Sequence, residues 1–155
     1  MKRPRRTPGN GRNILGVVCV AAFAATASAG EPSFELEVVP ILSKAGCNGG
    51  GCHGAIAGKA GFRLSLFGYD PAADHFAITR DARGRRVDLA EPGASLLLTK
   101  PTTALSHKGG KRLEMDGDDY ALLAEWIRAG CPGPRADEKK LVGIDLGPAE
   151  SVAAP

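Results

Sequence analysis

The segment Cys47–Gly54, "CNGGGCHG", constrains this chain more than any other, because two thiols and an imidazole must be accommodated within one short loop. Covalent haem attachment uses two cysteines as thioether donors to the porphyrin vinyl groups and the following histidine as an iron ligand, with CxxCH as the usual spacing. Here the spacing is CxxxxCH, so two further residues must bulge between Cys47 and Cys52 while His53 still reaches the iron. Gly49, Gly50 and Gly51 are expected to form that bulge by taking positive φ, which glycine does without a Cβ clash. Two alternatives remain open. A Cys47–Cys52 disulfide suits an oxidising compartment but leaves His53 without a task. Zinc would take Cys47, Cys52 and His53 with His107 or Cys131, although structural zinc sites usually combine two separated pairs and adjacent Cys52 and His53 chelate awkwardly.

The compartment follows from the N-terminus. A basic leader, an apolar run "ILGVVCVAAFAA" and the small residues "ASA" predict a secretory signal peptide over residues 1–29. The apolar run falls short of the roughly 20 residues that span a bilayer as a helix, so no stable membrane span is expected after cleavage. Arg5-Arg6 lacks the following apolar residue of a twin-arginine signal, which favours general secretion. The expected location is periplasmic or secreted.

Cleavage also reverses the charge. Five of the 20 basic residues lie in the leader and none of the 17 acidic ones does, leaving 15 against 17, a formal −2. Such a chain lacks the positive field of a nucleic-acid binder. Cys19 leaves with the leader, so three cysteines remain, an odd number for a pure disulfide framework.

Hydrophobic periodicity predicts a mainly α fold with long loops. Ser33 caps a short helix that carries Glu35 and Glu37 early, is disturbed by Pro40 and ends near Gly46. Phe62, Leu64 and Leu66 alternate against Arg63 and Ser65 as in a half-buried extended segment. Short helices follow after Pro71 and before Pro101, and "PTTALSHKGGKRLEMDG" reads as a loop. The strongest prediction is a helix in "GDDYALLAEWIRAGCPGP", with Asp118 and Asp119 at its start, Gly130 at its C′ position and Tyr120, Leu123 and Ile127 on one face. After a charged linker, "LVGIDLGPAESVAAP" begins with strand-like alternation, as if a second domain starts within residues 135–155.

A haem held at His53 needs a second axial ligand or an open position, and His107, Met115 and His75 are the candidates. His107, in a Gly-rich loop, is favoured over Met115, beside acidic "DGDD", and over His75, expected to face solvent. Two histidines would set a lower potential than His/Met. Arg80, Arg83, Arg85 and Arg86 form one basic run; Lys108, Lys111 and Arg112 form another. Most such runs are solvated faces; Arg112 is the best partner for a haem propionate.

From "CNGGGCHG", "GFRLSLFGYDP", "PGASLLLTKP" and "HKGGKR" before "YALLAEWIRAG", in that order, the chain resembles the cytochrome c-like domain of secreted planctomycete proteins over roughly residues 34–134. The resemblance implies a small helical domain over residues 30–134 with its first and last helices packed beside haem c. It implies Cys47 and Cys52 as attachment points, His53 as proximal ligand and His107 as distal ligand. It further implies that residues 135–155 open an immunoglobulin-like module. Cys131 departs from the family pattern and has no assigned role. The function expected is single-electron transfer with an unidentified redox partner rather than enzymatic chemistry, since no distal acid or base set is visible. The rival is a haem-free, disulfide- or zinc-stapled interaction module of a larger secreted protein.

Overall fold

The computed structural model describes residues 30–139 and 142–143; the expected signal peptide, and all but Val142 and Gly143 of the segment from Leu141 expected to begin as a strand, lie outside the described residues. Ser33 caps the first helical segment through two reciprocal bonds: Leu36 N donates to its Oγ at 3.0 Å, and its own N–H donates to Glu37 Oε2 at 2.6 Å. The segment opens as a wide turn, Phe34–Val38, and continues without a break into α1, Val39–Lys44. In the wide turn Val38 N bonds Ser33 O and Val39 N bonds Phe34 O, five residues back instead of four. Pro40 is the physical reason. Its ring would crowd the carbonyl four residues earlier and it has no N–H to donate, so the preceding turn widens and the helix survives.

Asp70 accepts from Ala73 N at 3.0 Å and starts α2, Pro71–Thr79. A short turn at Pro92–Ala94 leads into α3, Leu96–Thr99, which stops before Pro101 as expected. The last helix, α4, runs from Asp118 to Arg128. Among the described residues there is no strand, only one bridge between Lys59 and Phe62. The domain is mainly helical, with long irregular connections, and no described helix is long and apolar enough to cross a membrane.

The core gathers the apolar face of α4 (Leu123, Trp126, Ile127) against Phe34, Val38, Ile41, Leu42, Ile78 and Leu98. Phe34 meets Trp126 with ring centroids 5.5 Å apart, so the first and last helical segments pack together. Leu64 is buried as the alternation required, but Leu66 is half exposed, because the chain turns at Leu66–Gly68. That turn is anchored by Asp74, which accepts from Ser65 N at 2.5 Å and from Ser65 Oγ at 2.8 Å.

Asp74 is 1 % exposed, and burial raises its carboxyl above the usual range more than the Ser65 bonds lower it. The acid form is therefore the one the fold favours, and stability present below the ordinary carboxylate range is lost as pH rises through the folded-state value. Asp74→Asn keeps the bond from Ser65 N and can donate to Ser65 Oγ. It is expected to flatten the dependence of the urea midpoint on pH above the ordinary carboxylate range, and to be the more stable of the two at neutral pH. A wild-type midpoint that is already flat over that window would contradict this.

Candidate functional site

α1 ends in a cap that delivers Cys47 to the site. Gly46, at φ 72°, turns the chain; its N–H bonds Ser43 O at 3.0 Å and Cys47 N bonds Leu42 O at 2.8 Å. This paired arrangement satisfies two of the last helical carbonyls and fixes the exit direction. The C-terminus of α4 repeats it with Gly130 and Cys131, whose N–H bonds Trp126 O at 3.0 Å.

Beyond Cys47 the loop closes on itself. His53 N donates to Cys47 O at 2.9 Å, Cys52 N to Gly49 O at 2.9 Å, and Gly54 N to Gly49 O at 3.1 Å. Gly49, Gly50 and Gly51 do not take positive φ, contrary to expectation; a Cβ on any of them would meet nothing closer than 3.4 Å. The compact run of turn hydrogen bonds lets ordinary negative φ cover the extra length. The sterically obligatory glycine is Gly54, where a Cβ would lie 2.0 Å from the Asn48 carbonyl oxygen. Asn48 itself is buried, with Nδ2 donating to Ser43 Oγ at 2.9 Å, and its carbonyl accepts from Phe67 N.

Cys47 and Cys52 are half-buried free thiols. Burial, with Cys52 adding to it, pushes the Cys47 thiol up to about 11 against the opposing pull of Arg112, so it is uncharged at neutral pH.

His53 and His107 are held in the same way. His53 Nδ1 lies 3.0 Å from Phe62 O and His107 Nδ1 lies 2.9 Å from Gly110 O. A carbonyl only accepts, so each Nδ1 carries a proton, and in the neutral ring that leaves the lone pair on Nε2. Burial holds His53 below the ordinary histidine range, against the Phe62 bond, and His107, Arg86 and Lys59 add to the lowering. The neutral form of His53 is thus favoured at neutral pH. The two rings come within 6.4 Å, centroid to centroid, with planes 11° apart. Glycines make the His107 loop possible: Gly110 sits at φ 73°, and a Cβ on Gly109 would be 2.8 Å from His107 Cε1. Arg112 fastens the loop through Nε to Gly109 O at 2.8 Å, and its guanidinium reaches the Gly46–Cys47 turn.

Other sequence candidates lie apart from this pair. Met115 is exposed. His75 does not face solvent: it is half-buried, donates from Nε2 to Cys131 O at 2.8 Å, and its ring meets Phe34 edge-on at 5.1 Å. The correction has a simple cause, since α2 turns His75 toward the aromatic contact between Phe34 and Trp126. Arg86 is also not part of a solvated run. It is 5 % exposed, while Arg80, Arg83 and Arg85 are exposed. The zinc set is not assembled: among the described residues no three His, Cys, Asp or Glu side chains cluster for a metal. Cys131 is buried in the core at the end of α4.

Among the described residues, clefts on the surface include one of about 280 Å³ bordered by Lys44, Arg112 and Asp119 and one of about 820 Å³ bordered by Leu66, Tyr69 and Phe76. Neither is lined by Cys47, Cys52, His53 or His107. Leu66 nevertheless lies against the motif loop, 3.8 Å from where a Gly50 Cβ would stand, and with Ile56 and Leu105 it leaves apolar surface on segments flanking the thiols and imidazoles. Sequence reasoning missed Phe62 and Arg86 as supports of His53. Phe62 acts through its main-chain oxygen, which no residue pattern marks. Comparison of the chain with family models, with curated proteins and with solved structures returns no match.

Proposed function

We propose that this chain is an extracytoplasmic c-type cytochrome domain, holding haem covalently through Cys47 and Cys52 and carrying single electrons. One observation supports this above the rest: two imidazoles, both anchored through Nδ1 to main-chain carbonyls, stand nearly parallel 6.4 Å apart. In this reading His53 and His107 would hold the haem iron through their Nε2 atoms, each ring oriented by the carbonyl at its Nδ1. Anchoring of the second ring nitrogen is what a metal-bound histidine needs to hold its tautomer and orientation. Bound haem would supply a ferric–ferrous couple, and two histidines bias it to lower potential than His/Met.

In this reading the chain's own residues orient and neutralise. Phe62 O and Gly110 O keep both Nε2 atoms as acceptors. Burial keeps Cys47 as a thiol until attachment. Arg112, exposed and adjacent to Cys47, is placed to pair with a propionate. A second reading is a Cys47–Cys52 disulfide staple in a haem-free interaction module, favoured by the closeness of Cys52 to Cys47 in the same loop.

Intact mass of protein matured with a competent cytochrome assembly system separates the two, since covalent haem adds about 0.6 kDa and a disulfide removes two hydrogens. Mature protein without the added mass, and without a haemochrome band in alkaline pyridine, would end the cytochrome reading. His107→Ala is expected to convert a low-spin ferric spectrum to high-spin; an unaltered spectrum would remove His107 as a ligand and turn attention to Met115.

A further inference from the structure

Arg86 makes more directed contacts than any other charged side chain near the site, and it is buried. Its Nη1 donates to Ala77 O at 2.8 Å and Asp81 O at 3.0 Å, and its Nη2 donates to Gly61 O at 2.9 Å. Asp81 Oδ2 lies 3.5 Å away and half exposed, a loose partner for a guanidinium so well buried. The Cζ atom sits 4.4 Å above the centre of the Phe62 ring. That ring in turn lies 4.5 Å from the His53 ring, and Phe62 O is the acceptor for His53 Nδ1.

Burying a guanidinium costs several kcal/mol unless its donors are satisfied and its charge is answered. Here carbonyl oxygens and an aromatic face answer it, and every one of them belongs either to the end of α2 and its following turn or to the Gly61–Phe62 segment. The turn pays in backbone strain: Ala82 and Arg83 take φ 51° and 63° as the chain wraps around the guanidinium. Arg86 is thus a bolt between α2 and the short segment that holds His53.

We infer that Arg86 is the positioning residue for His53: by clamping Gly61 and the Phe62 ring it fixes the carbonyl that sets the imidazole tautomer, and it places a permanent positive charge behind that imidazole. The inference deepens the cytochrome reading, on which its redox consequence rests. Its structural half is independent of haem. A fixed cation behind the ligand disfavours the ferric charge, so its removal lowers the reduction potential. Lysine cannot replace it, because an ammonium does not reach in two directions with a planar fork or stack on Phe62 in the same way.

The test uses the full mature chain, as Arg86→Met and Arg86→Lys. In haem-free protein, ¹⁵N–¹H spectra of the histidine rings are expected to show wild-type His53 as a single Nδ1–H tautomer with a slowly exchanging proton. Arg86→Met should show mixed tautomers and fast exchange at His53 while His107, held by Gly110, is unchanged. Near-ultraviolet dichroism of Trp126 reports whether the variant is folded. In haem-loaded protein the midpoint potential of Arg86→Met should move negative, and Arg86→Lys should recover part of that shift without recovering the single tautomer. A folded Arg86→Met with a wild-type His53 tautomer and potential would overturn the inference. If wild-type protein takes up no haem but the tautomer responds as stated, the positioning role holds and the cytochrome reading fails. Should both variants unfold, the wild-type chain decides. A protected His53 Nδ1 proton with nuclear Overhauser contacts between Arg86 and the Phe62 ring upholds the role, and an unprotonated Nδ1 overturns it.

Discussion

Gly54→Ala is expected to dismantle the loop that carries Cys52 and His53, at a cost of about 3 kcal/mol or more. The added methyl would stand 2.0 Å from the Asn48 carbonyl oxygen and 2.9 Å from that of Gly49, both main-chain atoms that cannot swing aside. Relief would require opening the Gly54 N to Gly49 O bond and displacing the Asn48 carbonyl from Phe67 N. The loop would lose its link to the Leu66–Gly68 turn, and His53 its position. By contrast Gly51→Ala, which meets nothing within 4 Å, should be tolerated within a few tenths of a kcal/mol. Urea denaturation of the two variants side by side checks the contrast, and equal midpoints would refute it.

Trp126→Ala is expected to cost about 4 kcal/mol, a large share of the total for a small domain whose whole stability is of order 5–15 kcal/mol. Trp126 has no exposed surface, touches Phe34 and the edge of His75, and donates from Nε1 to Pro132 O at 2.9 Å. Truncation removes the junction between the first helical segment, α2 and α4 together. Trp126→Phe keeps most of the apolar volume but leaves the Pro132 carbonyl without its donor, and should lose roughly 1–2 kcal/mol. Thermal unfolding followed by far-ultraviolet dichroism measures both; a loss below about 1 kcal/mol for the alanine variant would mean that the core closes around the gap.

Much of the fold could be read from residues that act locally. Ser33, Asp70, Gly46, Gly130 and the apolar face of α4 each do their work within one or two turns of where they stand, so their spacing carries the information. The same holds for Cys47, Cys52 and His53, which share one loop. His107 was favoured from its Gly-rich loop and by the ordered motifs, and its ring lies near His53 although the two are 54 residues apart in sequence. What stayed hidden depends on main-chain oxygens and on contacts remote in sequence. His75 looked polar and solvent-facing because its partner is the Cys131 carbonyl, 56 residues away. Arg86 looked like one more charge in a basic run because its partners are three carbonyls and the face of Phe62. The three consecutive glycines drew attention that belonged to Gly54, whose constraint comes from the packing of one strand of loop across another.

The widened turn before Pro40 also sets a rotational phase. One residue more than an ordinary turn is accommodated between Ser33 and the start of α1. Shortening the chain by a residue there would restore regular spacing yet swing Phe34 through about 100° and along the axis by about 1.5 Å, carrying it off Trp126. Length, more than side-chain identity, is what the exposed Leu36 contributes to the aromatic contact behind it.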